Sequence, residues 1–122
     1  MIGSSVDTVF HELGAYNVVI PKEGEVREYL NQHLDLGDVL GPIGASARQE
    51  FGEKAELALE VYGDPEIDDK YLSLYVRLPV YDFQIMNRIE KIRDEFRDAL
   101  SQCNGWLLVT TDFLPPNSRN GV

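Results

Sequence analysis

The side chains best suited to chemistry are the carboxylates of a short acidic run and of the segment that precedes it. The run 64–69, Asp-Pro-Glu-Ile-Asp-Asp, is rich in the oxygen donors that Ca²⁺ and Mg²⁺ prefer. It lacks both the glycine and the later in-frame glutamate of an EF-hand loop, which favours an acidic turn over a cation site. We therefore predict no metal and no cofactor. The alternative is an enzyme or ligand-binding domain with a carboxylate site of Glu56, Glu60 and Asp64, with or without a divalent metal.

Nucleophilic chemistry has few candidates in this chain. The histidines are His11 and His33, and the one thiol belongs to Cys103. A catalytic Cys–His pair would have to meet in space beside an oxyanion site, and no local spacing indicates this. Phosphate-binding, dinucleotide-binding, serine hydrolase and zinc protease motifs do not occur in the sequence. A non-enzymatic function is therefore favoured, with the carboxylate site as the enzymatic alternative.

Two alternating runs around the acidic turn predict an antiparallel hairpin over Lys54–Leu78. One face of each run is apolar, and the other is polar or aromatic. Opposite residues are expected to have numbers that sum to 133, which sets Glu56 against Arg77 as a cross-strand pair of opposite charge. The mixed face then carries the predicted binding residues: Glu56, Glu60, Tyr62, Tyr71, Tyr75 and Arg77.

The remaining elements follow from hydrophobic periodicity. Helices are expected over 23–33, over 36–51 with a kink or break near Pro42, and over 83–102, whereas 1–15 is either a short helical turn or a frayed end. Short strands are expected over 16–20 and 106–113. The order (β)ααββαβ predicts an α+β two-layer sandwich, with a hairpin-based antiparallel sheet of three or four strands and helices on one face. We predict one domain over 1–116 and a flexible tail over 117–122.

Charge and composition limit the classes of partner and the cellular location that we expect. The net charge of −10 over 122 residues disfavours binding to nucleic acid or to an anionic membrane surface. The basic residues of the last predicted helix, such as Arg88 and Arg97, alternate with acidic ones, as on a salt-bridged solvent face. No apolar run approaches the ~20 residues of a membrane span, and the N-terminal segment lacks the pattern of a secretory signal. With a single cysteine, these features predict a cytoplasmic protein.

The function we expect is that of a non-enzymatic protein-binding or regulatory domain. Aromatic side chains clustered with charges on a sheet face resemble the composition of an interface more than that of ordinary surface. The partner is expected to be another protein or a second copy, which would make a homodimer. Nucleic acid and membrane are not expected as partners.

A sequence pattern extends this expectation. It consists of Phe51-Gly52, the strand-like Leu57–Val61, Asp64-Pro65-Glu66 and the second strand-like Leu72–Leu74. Over roughly residues 26–116 the pattern resembles a group of small uncharacterised prokaryotic α+β proteins, with no established activity. The resemblance implies genes that lie beside small toxin-like or mobile-element genes, which adds an antitoxin-like role to the expectations. It implies no catalytic residue.

Overall fold

The chain folds as an α+β protein, described in a computed structural model for residues 6–64, 69–114 and 116. Within those residues there are four helices and one four-stranded sheet. The expected mixture of helices and strands in an α+β chain is confirmed, and helix α1 is an addition to the expected order of elements. The elements are α1 (Val6–Ala15), β1 (Val18–Val19), α2 (Glu23–Gln32), α3 (Leu34–Phe51), β2 (Glu56–Asp64), β3 (Asp69–Arg77), α4 (Ile85–Ser101) and β4 (Leu107–Thr110).

The hairpin of β2 and β3 is the centre of the sheet, and its register is the expected one. Glu56 pairs with Arg77, Glu60 with Ser73, and the numbers of each pair sum to 133. The rings of Tyr62 and Tyr71, also opposite each other, have centroids 5.2 Å apart. Residues 65–68, which carry most of the acidic turn, lie outside the described part of the chain.

The outer strands make the sheet mixed, whereas the sequence predicted an antiparallel one. The strand order is β1-β2-β3-β4, with β1 parallel to β2 and β4 parallel to β3. A parallel pair needs a long crossover connection, usually helical. Helices α2 and α3 supply that connection between β1 and β2, and α4 supplies it between β3 and β4.

The core lies between the apolar side of the hairpin and the helices. Leu57, Leu59, Leu72, Leu74 and Val76 alternate along the two central strands and are almost fully buried. The helices contribute their own apolar stripes to the same cluster. Fully burying one such side chain contributes roughly 1.5–3 kcal/mol, so this alternation both fixes the register and stabilises the fold.

Helix α3 contains Pro42 without a break, so the break that the sequence allowed is absent. A proline inside a helix costs about 3 kcal/mol relative to alanine. Pro42 itself is exposed, while its neighbours Gly41 and Gly44 are buried against α1. A Cβ on Gly44 would lie 3.3 Å from a methyl carbon of Leu13. Helix α3 thus packs closely against α1 through small residues on both sides of Pro42.

The end of α3 agrees with the sequence. Gly52 occupies the C-cap with φ = 85°, and its N–H donates to the carbonyl of Arg48. This left-handed conformation favours glycine. The Arg48 side chain then donates to the carbonyls of Tyr16 and Ala55, at 2.9 and 2.7 Å, and so ties the end of α3 to the beginnings of β1 and β2.

Candidate functional site

The mixed face of the hairpin is organised by Arg77. Its guanidinium lies 3.1 Å from a carboxylate oxygen of Glu56 and 2.9 Å from one of Asp112, and a carboxylate oxygen of Glu60 is 3.9 Å away. The guanidinium carbon also lies 5.2 Å from the ring centroid of Tyr75, a cation–π distance. We call these five residues the arginine cluster.

The charges of the arginine cluster are sheltered as well as paired. The side chains of Arg77 and Glu56 are only 13% and 9% exposed. The hydrogen bond to Asp112 is the main cause that raises the pKa of Arg77. Burial alone would raise the pKa of Asp112, but hydrogen bonds from Arg77 and from the backbone N–H of Leu114 outweigh it and lower that pKa. The guanidinium donors thus face carboxylates of this chain, and the cluster is built to hold the strands together.

The six residues that the sequence predicted for binding do not all meet at one point. Glu56, Tyr75 and Arg77 lie within the arginine cluster, with Glu60 at its edge. Tyr62 and Tyr71 form a separate aromatic pair, and Tyr62 is exposed while the other five are half-buried. The small side chains on the same face, at positions 58 and 73, are nearly inaccessible to solvent.

Sequence reasoning missed Asp112, which completes the arginine cluster. In the parallel pairing of β3 with β4, Tyr75 is opposite Thr110. Two residues further along each strand, the same side of the sheet carries Arg77 and Asp112, which their hydrogen bonds of 2.9–3.2 Å confirm. Alternation along 108–112 was a usable signal, but only once the parallel partner of β4 was known.

The geometry of the arginine cluster gives little support to the alternative carboxylate site. Glu56 and Glu60 both face Arg77, so a cation would compete with a guanidinium already in place. The side chain of Asp64 lies outside the described part of the chain. Among the described residues, no group of three or more Asp, Glu, His or Cys side chains is placed to hold a metal ion.

The thiol of Cys103 is placed as a packing group. Its Sγ lies 3.5 Å from the carbonyl oxygen of Ala99 and 3.7 Å from that of Asp35. Burial, with smaller contributions from the charges of Asp35 and Asp38, raises the pKa of this thiol. A raised pKa disfavours the thiolate that nucleophilic catalysis needs. His33 packs its ring against Tyr29, with centroids 4.4 Å apart.

The basic residues of α4 are paired with acidic ones, as the sequence predicted. Arg93 lies 2.9 Å from Glu90, and Arg97 pairs with Asp94. Nearer the start of the helix, Arg88 and Lys91 both reach Glu50, at 2.8 Å each. Arg88 also pairs with Asp82, at 2.7 Å. Local pairing cancels most of the positive field that a nucleic-acid backbone would need.

A second surface has the opposite character, because large apolar side chains are exposed there. We call it the apolar patch. It lies where β3 and β4 end, in the connection to α4 and in the segment after β4. Its members and their exposed fractions are Val80 (77%), Tyr81 (71%), Phe83 (79%), Phe113 (60%) and Leu114 (58%). Tyr81, Phe113 and Leu114 line one groove of about 150 Å³, together with Leu78 and Ile85.

The backbone of the apolar patch is held in an uncommon conformation. Phe113 has φ = 61°, in the left-handed region that a bulky residue rarely adopts. Its N–H donates to the hydroxyl of Thr111 at 3.1 Å, and the next N–H, of Leu114, donates to Asp112 at 3.2 Å. Such strain persists only where surrounding contacts impose it, and it clusters at functional sites. The same Asp112 thus joins the apolar patch to the arginine cluster.

Hydrophobic periodicity did not predict the apolar patch. The expected strand over 106–113 places Phe113 at its end, and the residues between the hairpin and the last helix carry no predicted role. The available signal was the non-alternating apolar run around Val80 and Tyr81, which follows a proline and so cannot extend the hairpin. Composition alone does not distinguish these residues from core residues.

Comparisons with known proteins give no functional information about these surfaces. No protein family, no curated protein and no solved structure gives a significant match to the chain. Within residues 6–64 and 69–114, no helix combines the length and the apolar character needed to cross a membrane.

Proposed function

We propose that this chain is a non-enzymatic protein-binding domain and that its apolar patch is the binding surface. The observation that carries the proposal is the exposure of five large apolar side chains, drawn from two segments, three of which line one groove. Exposed apolar surface of this kind, bordered by polar residues, marks protein interaction sites. Regulatory and antitoxin-like roles are forms of such binding, and both stay predictions.

The proposed fold beneath this surface is the two-layer sandwich. Helices α2 and α3 contact β2, and α4 contacts β4. The apolar side of the hairpin is buried in the same cluster as the helical stripes. The other side carries the arginine cluster and the pair of Tyr62 and Tyr71. In this arrangement the apolar patch lies at one end of the sheet, where two parallel strands finish side by side.

Local electrostatics support a protein partner over a charged small ligand at the apolar patch. Asp82 lines its groove and Asp112 precedes Phe113 in the chain, and each of these carboxylates is paired with an arginine. A hydrogen bond from the backbone N–H of Gln84, together with Arg88, lowers the pKa of Asp82. What the surface offers beyond these pairs is aromatic and aliphatic area, the composition of an interface core.

A second candidate surface is the mixed sheet face predicted from the sequence. Tyr62 is exposed beside Tyr71, and three carboxylates surround the single arginine of the cluster. This excess of negative charge would suit a basic protein segment. Because Arg77 and Glu56 are themselves sheltered, such a partner would be held mainly at the tyrosine end.

Site-specific photo-cross-linking tests the proposal. A photoreactive benzoylphenylalanine placed at Phe83 should give a covalent protein adduct on irradiation of cells that make this chain. The matched control carries the same group at Leu34, an exposed apolar residue at the beginning of α3 (55% exposed), and should give much less adduct. Equal or absent adducts at the two positions would contradict the proposal. The same group at Tyr62 tests the second surface.

A further inference from the structure

The apolar patch combines a recess with a projecting side chain. The groove of about 150 Å³ is bounded by Tyr81, Ile85, Phe113 and Leu114, among others. Phe83 is not part of its lining, and it is the most exposed large apolar residue in the described part of the chain. A two-fold contact between identical chains requires one surface to carry both parts, because residue i of each copy meets residue j of the other.

The charges around the apolar patch also suit a contact between like chains. Two copies of a chain with net charge −10 repel each other, so they can meet only where the local charge is matched. Asp82 lines the groove and Asp112 adjoins it, and each is paired with an arginine, with Arg88 at 2.7 Å and with Arg77 at 2.9 Å. A basic partner would instead prefer a surface with an excess of carboxylates.

The available area fits a weak dimer. Each aromatic side chain offers about 150–250 Å² when fully exposed, so Tyr81, Phe83 and Phe113 at 60–79% exposure present roughly 300–500 Å². Val80 and Leu114 add to that area. A standard interface buries about 800 Å² per partner, which the apolar patch approaches once a polar rim is included. The expected dissociation constant is on the order of micromolar.

We infer that a second copy of this chain occupies the apolar patch in a two-fold contact, with Phe83 of each copy inserted into the groove of the other. This inference rests on the proposed function and names its partner. A groove of about 150 Å³ has the dimensions to receive one phenyl ring. The strained backbone conformation at Phe113 sets the position of one wall of the groove before the partner binds.

Sedimentation velocity over roughly 1 to 300 µM chain tests the contact. The wild-type chain should move from its monomer mass of 13.8 kDa toward twice that mass as the concentration rises. Phe83→Ser should weaken this association at least about tenfold, whereas the matched control Leu34→Ser should follow the wild type. A wild type that stays monomeric throughout, or a Phe83→Ser variant that dimerises like it, would overturn the inference.

A mixing experiment distinguishes the specific insertion of Phe83 from non-specific hydrophobic association. Leu114→Arg blocks the groove but keeps Phe83, whereas Phe83→Ser keeps the groove. Each variant alone should stay monomeric in the range where the wild type dimerises. An equimolar mixture restores one of the two insertions and should recover part of the association. A mixture as monomeric as its components would overturn the insertion of Phe83.

The photo-cross-linking experiment distinguishes failure of this inference from failure of the proposed function. An adduct at position 83 of twice the chain mass supports the second copy. An adduct of any other mass, with a wild type that sediments as a monomer, overturns the second copy and keeps the apolar patch as a binding surface. Absence of any adduct above the level at Leu34 contradicts both.

Discussion

The arginine cluster and the apolar patch adjoin each other, yet the cluster shelters charged groups from solvent and the patch exposes apolar groups to it. Arg77 is the last residue of β3, and the apolar patch begins three residues later at Val80. On the β4 side, Asp112 belongs to the cluster and Phe113 to the patch. In the cluster, charged groups are sheltered and paired, whereas in the patch apolar groups are exposed and have no apolar cover.

The difference shows which surface serves the fold and which serves a partner. A sheltered charge must find its partner inside the same chain, because an unpaired one is strongly destabilising. Arg77 meets that requirement with residues of β2 and of the segment after β4. Exposed aromatic side chains gain nothing within the fold, and their burial becomes favourable only when another surface covers them.

The largest expected effect is on the stability side of this comparison. Arg77→Ala leaves Glu56 and Asp112 without their common partner, so the free energy of unfolding should fall by about 3 kcal/mol. Urea denaturation measures this change in the free energy of unfolding. The matched control Arg97→Ala removes an exposed ion pair with Asp94 and should lower stability much less. Comparable losses in the two variants would show that the cluster contributes no more than surface charge.

The next effect is the acid dependence of stability. The pKa of Asp112 is lower in the folded chain than its usual value near 3.9, so this group stabilises the fold above that pH. The contribution is lost as the pH falls toward the folded-state pKa. Urea midpoints between pH 7 and pH 2 should therefore fall less steeply for Asp112→Asn than for the wild type. Parallel profiles for the two chains would contradict a stabilising role for the Asp112 charge.

A smaller effect separates strain from contact in the apolar patch. Phe113→Gly removes the side chain and accepts φ = 61° readily, whereas Phe113→Ala removes the side chain and keeps the strain. The glycine variant should be the more stable of the two by about 1 kcal/mol in thermal or urea denaturation. Both should dimerise more weakly than the wild type. A less stable glycine variant would indicate that the backbone at 113 is unstrained.

The smallest effect is expected at the exposed end of the mixed sheet face. Tyr62→Ala removes the ring that packs at 5.2 Å from Tyr71, which should cost roughly 0.5 kcal/mol, at the low end for aromatic pairs because Tyr62 is exposed. Association measured by sedimentation should not change. A Tyr62→Ala chain that no longer associates would move the interface from the apolar patch to the sheet face.

The sequence predicted the features of the fold that depend on the local periodicity of apolar residues. The hairpin register followed from alternation and cross-strand pairs, and the ends of α4 were placed within two residues of those observed. The end of α3 at Phe51 followed from the end of a helical apolar stripe. These features depend on neighbours that lie close in the chain or on one hairpin, so a single sequence carries them.

Features set by distant contacts were not predictable in the same way. A short strand over 16–20 was expected, but its parallel pairing with β2, nearly forty residues away in the chain, was not. The role of Asp112 needed the parallel register of β4 on β3. The apolar patch was missed for another reason: phenylalanine, tyrosine and valine are the residue types of a core, and exposure is a property of the folded chain.

Amide chemical shifts followed by NMR during dilution test the central claim most directly, because they locate the contact on the chain. Diluting the wild type should move the resonances of the groove and its surroundings, residues 78–85 and 111–114, and leave Tyr62, Tyr71 and Leu34 in place. Phe83→Ser should show no such dependence. Concentration-dependent shifts confined to the mixed sheet face would contradict the apolar patch as the binding surface, and the absence of shifts at every residue would overturn the second copy as its partner.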